Sequence, residues 1–241
     1  MTDDARRTVA FVLYPGLTPL DMIGPLQVFN NLPAADPRYE VTVVGERIEP
    51  MLSDCPVKLV PHKTFDEAPN PYIVVVPGGG FGTLKAMTNP AIREYLLAAA
   101  PAAHTVASVC TGALVLAAAG LLEGRNATTH WAMADQLNRL GAHYQRRRWV
   151  QDGKFLCSAG VSAGIDMALH LVAQLTSEDL AKKAQLIIEY DPQPPFGGID
   201  WDNSDLTFMA PRVDQWIHQA LAHHPDMTAR LTGEPVPTPA R

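Results

Sequence analysis

The chain has 241 residues, enough for one large α/β domain with a sizeable core, and its 47% hydrophobic and 18% charged content excludes disorder over most of the length. A formal net charge of −6 argues against a nucleic-acid partner, because phosphate contacts need clustered Lys and Arg. Three cysteines without paired spacing, a polar start with no apolar signal core and no uninterrupted bilayer-length apolar run predict a reduced, cytoplasmic protein that does not enter a membrane.

Taken in chain order, residues 1–7 read as a flexible N-terminus and Thr8–Tyr14 as a buried strand stopped by Pro15-Gly16. Asp21 stands ahead of a helix over Met22–Asn30 that carries Pro25 in its first turn. A strand at Tyr39–Val44 follows, then a Pro-rich excursion with room for a small sheet, then the strand Tyr72–Val76, which ends at Pro77-Gly78-Gly79-Gly80. A helix around Pro90–Ala100, a strand at His104–Ser108 and a helix over Thr111–Ala119 repeat the alternation that makes a parallel sheet covered on both faces. Trp131–Leu140 reads as an amphipathic helix and Tyr144–Leu156 as a hairpin turning at Asp152-Gly153. Helices at Ser162–Leu175 and Ser177–Tyr190 close an α/β domain over residues 8–195. Residues 196–241 form a C-terminal extension with one helix, Val213–Ala222, and a tail from Gly233 expected to be disordered.

Ser108-Val109-Cys110-Thr111-Gly112 lies where a strand gives way to a helix, with short residues two places either side of the cysteine, the layout of a nucleophile elbow. Such a turn lifts the side chain above the carboxyl edge of the sheet, where ligands of open parallel sheets bind. The free amides of the following helix can lower a cysteine pKa. The same spacing also suits a small buried hydrophobe at a helix start, and spacing alone does not separate the two. Cys55, in a loop beside Pro56, and Cys157, in an apolar strand, read as structural. On spacing alone Asp21 reads as a helix N-cap in preference to an acid. His130 reads as a capping or packing group and Ser162 as a cap. Arg146-Arg147-Arg148 reads as a solvated edge of the hairpin, with an anion-binding patch as the alternative. His218 and His223-His224 lack further ligands at metal spacing, so no metal is expected.

The segments LYPGLTPLDMIGPLQVF, VVVPGGGFG, ASVCTGALVLAAAGLLEGRNATTHW and SAGVSAGIDMALHLV, in that order over most of residues 8–190, resemble the ThiJ/PfpI superfamily. The resemblance implies a flavodoxin-like, class I glutamine amidotransferase-like fold: a mostly parallel central sheet with helices on both faces. Within the superfamily the pattern is most similar to the isocyanide hydratases, which pair an acid after the first strand with a cysteine followed by threonine. On that resemblance Cys110 is the nucleophile, Asp21 the acid that faces it, Thr111 a third catalytic residue, and Gly79 and Gly80 the amides that bind an oxyanion or water. Protease-like branches carry a histidine directly after the cysteine; Thr111 stands there in this chain, which weakens a Cys–His peptidase or amidase. The resemblance implies a small-molecule isocyanide substrate, no cofactor and a homodimer. The alternatives are a ligand-sensing protein related to the N-terminal domains of AraC-type regulators, and a glyoxalase-like or chaperone-like stress protein.

Overall fold

In a computed structural model, residues 6–235 are described. They form, in order, β1 (Arg7–Val12), α1 (Pro19–Phe29), the single turn α2 (Leu32–Ala35), β2 (Tyr39–Gly45), β3 (Met51–Leu52), β4 (Lys58–Leu59), β5 (Lys63–Thr64) and β6 (Ile73–Val76). Next come α3 (Gly80–Ala86), α4 (Pro90–Ala102), β7 (Thr105–Val109), α5 (Gly112–Ala118), β8 (Asn126–Ala127), α6 (Ala134–Arg139), β9 (His143–Tyr144), β10 (Trp149–Asp152) and β11 (Phe155–Ser158). The chain then runs through α7 (Ala163–Leu175), α8 (Glu178–Ile187), α9 (Ala210–Ala220) and α10 (Pro225–Thr232).

The main sheet has the order β10-β11-β7-β6-β1-β2-β5, parallel except for the β10–β11 hairpin at its edge. Val9–Val12 of β1 and Ile73–Val76 of β6 are fully buried, as expected of parallel strands covered on both faces. One helical layer contains α1, α7 and α8, and the other contains α3, α5, α6, α9 and α10. β1 has β2 on one side and β6 on the other, so the strand order reverses at β1. The loops leaving β1, β6 and the adjacent β7 therefore meet at the carboxyl edge beside the switch point, where open α/β sheets leave a crevice.

Several boundaries differ from the sequence reading for identifiable reasons. β1 starts at Arg7, which falls inside the expected flexible N-terminus; the expectation for residues 1–5 lies outside the described residues. α1 begins at Pro19, with Thr18 at the N-cap position, because proline at the first helical position carries no orphan N–H and has its φ preset. Asp21 is therefore inside the first turn and Pro25 inside the helix. His143-Tyr144 pairs with Asn126-Ala127, so the hairpin starts only at Trp149 and turns through Gly153, at φ 60°, and Lys154. The expected helix over Trp131–Leu140 is a 3₁₀ turn at Trp131–Met133 followed by α6. The C-terminal extension has two helices rather than one, bound to the body by buried Val213, Ile217, Leu221 and Leu231. Gly233, in the left-handed conformation, ends α10, and the tail beyond Pro235 lies outside the described residues.

Candidate active site

Cys110 joins β7 to α5 with φ 55°, a left-handed conformation shared, among the described non-glycine residues, only with Glu189. That geometry costs an L-residue about 1–2 kcal/mol and persists only where surroundings over-determine it. They do so here: the Cys110 N–H donates to the carbonyls of Ser158 and Ala159 at 3.1 and 3.0 Å, and its own carbonyl accepts the Thr129 hydroxyl at 2.9 Å. Gly112 completes the turn, because a Cβ there would stand 2.0 Å from the Val76 carbonyl oxygen.

The side chain of Cys110 is only 5% exposed and Asp21 is fully buried. Asp21 accepts from the Gly78 amide at 3.1 Å through Oδ2. Oδ1 is buried without an N–H or O–H donor, and the polar neighbour left to the carboxyl is the Cys110 thiol. The capping role is excluded by this arrangement, since the partner amide belongs to a loop far along the chain and no side chain caps α1. Burial pushes the Asp21 carboxyl up to about 7, against the opposing hydrogen bonds from Cys110 and Gly78. Burial, and then the Asp21 charge, push the thiol of Cys110 well above its ordinary value, although the amides of Val161 and Thr111 face it and favour thiolate. Removal from water thus outweighs the expected help of the helix start. The thiol and the carboxyl face each other, so the pair is coupled and carries at most one negative charge near neutrality.

A second chain of contacts fixes Thr111. Tyr14 donates to the Pro77 carbonyl at 2.6 Å, which commits its single hydroxyl proton. At the 3.1 Å contact between Tyr14 and Thr83 the proton must then come from Thr83, and at the 2.8 Å contact between Thr83 and Thr111 it must come from Thr111. The Thr111 hydroxyl also accepts from the Gly79 amide at 3.0 Å. It is left with a lone pair, and no proton, to offer the reacting centre.

The glycine turn is divided between these groups. Gly78 serves Asp21 and Gly79 serves Thr111, while Gly80, at φ 42°, backs onto the Trp216 ring. Sequence reasoning named Gly79 and Gly80 and missed Gly78, whose Cβ would stand 2.6 Å from the Thr111 nitrogen and 2.7 Å from both Asp21 Oδ2 and Thr111 Oγ1. It also missed Tyr14, Thr83, Thr129 and Val161. A strand-end tyrosine was the sole visible signal among them, because the others are chosen by tertiary contacts.

The remaining candidates lie elsewhere or act structurally. His130 caps the 3₁₀ turn by accepting from the Ala132 amide, and burial lowers its pKa. Ser162 occupies the N-cap position of α7 without a side-chain cap bond. Cys157 is buried in β11 and Cys55 is exposed. Arg146 pairs with Asp202, and Arg148 with Asp166. His218 meets only Glu234, at 3.6 Å, among its acidic neighbours, and no cluster of three His, Cys, Asp or Glu suited to a metal occurs among the described residues. None of the described helices is long and apolar enough to cross a membrane.

Comparison with known proteins places this geometry in a family context. The DJ-1/PfpI family model matches residues 7–174. An isonitrile hydratase of Pseudomonas putida is 41% identical over 189 residues, covering 78% of this chain and 80% of that protein. The HTH-type transcriptional regulator CdhR of Pseudomonas aeruginosa is 31% identical over 71% of this chain but only 51% of its own length. Among solved structures, a ThiJ/PfpI family protein from Pseudomonas syringae superposes with a TM-score of 0.77 at 32% identity, covering 95% of this chain and 91% of that one.

Proposed function

The chain belongs to the DJ-1/PfpI family, and from that premise we propose that it hydrates organic isocyanides to N-substituted formamides, with Cys110 as nucleophile and Asp21 as proton carrier. The observation that carries the reading is the buried Cys110–Asp21 pair in a chain 41% identical to an isonitrile hydratase.

The terminal carbon of an isocyanide accepts a soft nucleophile and then a proton. The Asp21 carboxylate takes the thiol proton as sulfur bonds to that carbon, and returns it to the same carbon. The product is a thioimidate, with the carboxylate restored. Water, held by donating to the Thr111 lone pair, loses its other proton to Asp21 as its oxygen adds to the thioimidate carbon. The nitrogen takes that proton. The tetrahedral adduct then expels sulfur, which recovers the hydroxyl proton as the carbonyl forms. Each step balances with water as the co-reactant and no cofactor. The Val161 and Thr111 amides beside sulfur stabilise the negative charge that develops there twice per cycle.

The likeness to CdhR supports a second reading, in which the same crevice senses a ligand without turning it over. Ultraviolet detection of formamide from an aryl isocyanide separates the two, with methylglyoxal as a competing substrate. Turnover by the wild type and none by Cys110→Ala supports the hydratase. Turnover of methylglyoxal alone overturns it.

A further inference from the structure

The 3₁₀ turn Thr207–Met209 runs directly into α9, beyond the residues that the family model covers. This segment touches both flanks of the Cys110 site. On one flank, two ring carbons of Trp216 lie 3.1 and 3.2 Å from the position of a Cβ on Gly80, the residue next to the Gly79 amide that binds Thr111. On the other, the Phe208 ring lies 5.7 Å from that of Trp131, two residues beyond the Thr129 hydroxyl that holds the Cys110 carbonyl. His130, between them, presses against Gly160, whose neighbour Val161 faces the sulfur.

Phe208 and Trp216 are about 12 Å apart along the segment at about 1.5 Å per residue. The segment is thus held to one flank by each ring. Phe208 is still 65% exposed although its ring meets that of Trp131 at a tilt of 53°, so a large aromatic face at this rim remains uncovered. The core does not need that ring, since Val213 and Ile217 already bury the inner side of α9. A flat apolar group would cover it at little ordering cost, because the rings are already in place.

We propose that the C-terminal segment is the outer wall of the Cys110 site, and that Phe208 and Trp216, with Trp131, hold the substituent on the substrate nitrogen and select flat aryl groups over small alkyl groups. The substrate named here rests on the isocyanide reading, whereas the wall itself does not. The test therefore has an arm that needs no turnover. Alkylation of Cys110 by iodoacetamide and by its N-phenyl analogue is followed by peptide mass spectrometry in a Cys55→Ser background, for wild type, Phe208→Ala, Trp216→Ala and Trp216→Phe.

The N-phenyl reagent reacts preferentially in the wild type, and the preference falls about three- to tenfold in each alanine variant, the effect of one lost aromatic contact. It is largely kept by Trp216→Phe. The same ratios appear in kcat/KM for phenyl against methyl isocyanide. Unchanged alkylation ratios in Phe208→Ala, whose exposed site tolerates truncation, together with Trp216→Ala overturn the wall. Wild-type inertness toward every isocyanide, with the alkylation preference intact, overturns the hydratase reading and leaves the wall standing.

Discussion

Asp21→Asn separates chemistry from stability in this site because the two change in opposite directions. Asparagine retains a carbonyl oxygen for the Gly78 amide, 3.1 Å from the present carboxylate, but cannot take the proton of the Cys110 thiol. General acid–base catalysis typically contributes about 10²- to 10⁴-fold, equivalent to roughly 3–5 kcal/mol of barrier, and kcat should fall by at least about a hundredfold. The stability effect follows from a carboxyl that ionises at about 7 in the fold and near 3.9 in an unfolded chain. Between those values the native state holds a proton that the unfolded state has released. Stability therefore declines as pH rises through that window, by up to roughly 4 kcal/mol above pH 7. Asparagine carries no such charge, so the variant should melt no earlier than wild type at pH 5 and later at pH 8. Melting curves at the two pH values, paired with formamide kinetics, read both effects. A variant that turns over within threefold of wild type, or that melts earlier at pH 8, refutes the buried-acid argument.

Other expectations follow from named contacts. Cys110→Ala abolishes turnover with little change in melting, while Cys110→Gly melts later by an amount corresponding to about 1 kcal/mol, because glycine carries φ 55° without strain; an inactive glycine variant that melts earlier than alanine argues against backbone strain. Gly78→Ala loses both turnover and stability, since its Cβ would stand 2.6–2.7 Å from Thr111 and Asp21, and a fully active variant would show that the two groups need not share this space. Thr83→Val removes the acceptor of the Thr111 proton and should lower kcat about tenfold or more with KM little changed, with Thr83→Ser restoring it; equal activity of the valine and serine variants removes Thr83 from the mechanism. A homodimer is expected in sedimentation at micromolar concentration, and a monomer there contradicts it.

The alternation of β-rich and helical segments was readable because parallel strands buried on both faces leave unbroken apolar text such as Tyr72–Val76. Cys110 and Asp21 were readable as candidates, but their relationship was not: the first turn of α1 and the β7–α5 turn meet only through the strand order. The cap reading of Asp21 failed because Pro19 starts the helix three residues before the expected Met22, a signal present in the sequence. The second C-terminal helix was signalled in the same way, by Pro225 at its start and Gly233 just past its end. The assignment of amides within Gly78-Gly79-Gly80 was not legible, since three identical residues carry no register until Asp21, Thr111 and Trp216 select among them.

The direction of the cysteine's perturbation reversed between sequence and structure, with a consequence for the proposed chemistry. A helix start alone suggests a standing thiolate, which would be open to any electrophile or oxidant that reached it. Here burial and the neighbouring carboxyl keep the proton on sulfur in the resting state, while Val161 and Thr111 already present their amides to it. Nucleophilicity then depends on Asp21 being ionised, so kcat/KM should rise with pH through about 7 as the carboxyl loses its proton. It should not follow the much higher titration of the thiol. Replacement of Asp21 by Asn should remove that limb from the pH profile of the residual activity. A wild-type profile flat from pH 5.5 to 8.5, or a rising limb retained in the Asn variant, would place the controlling proton on another group.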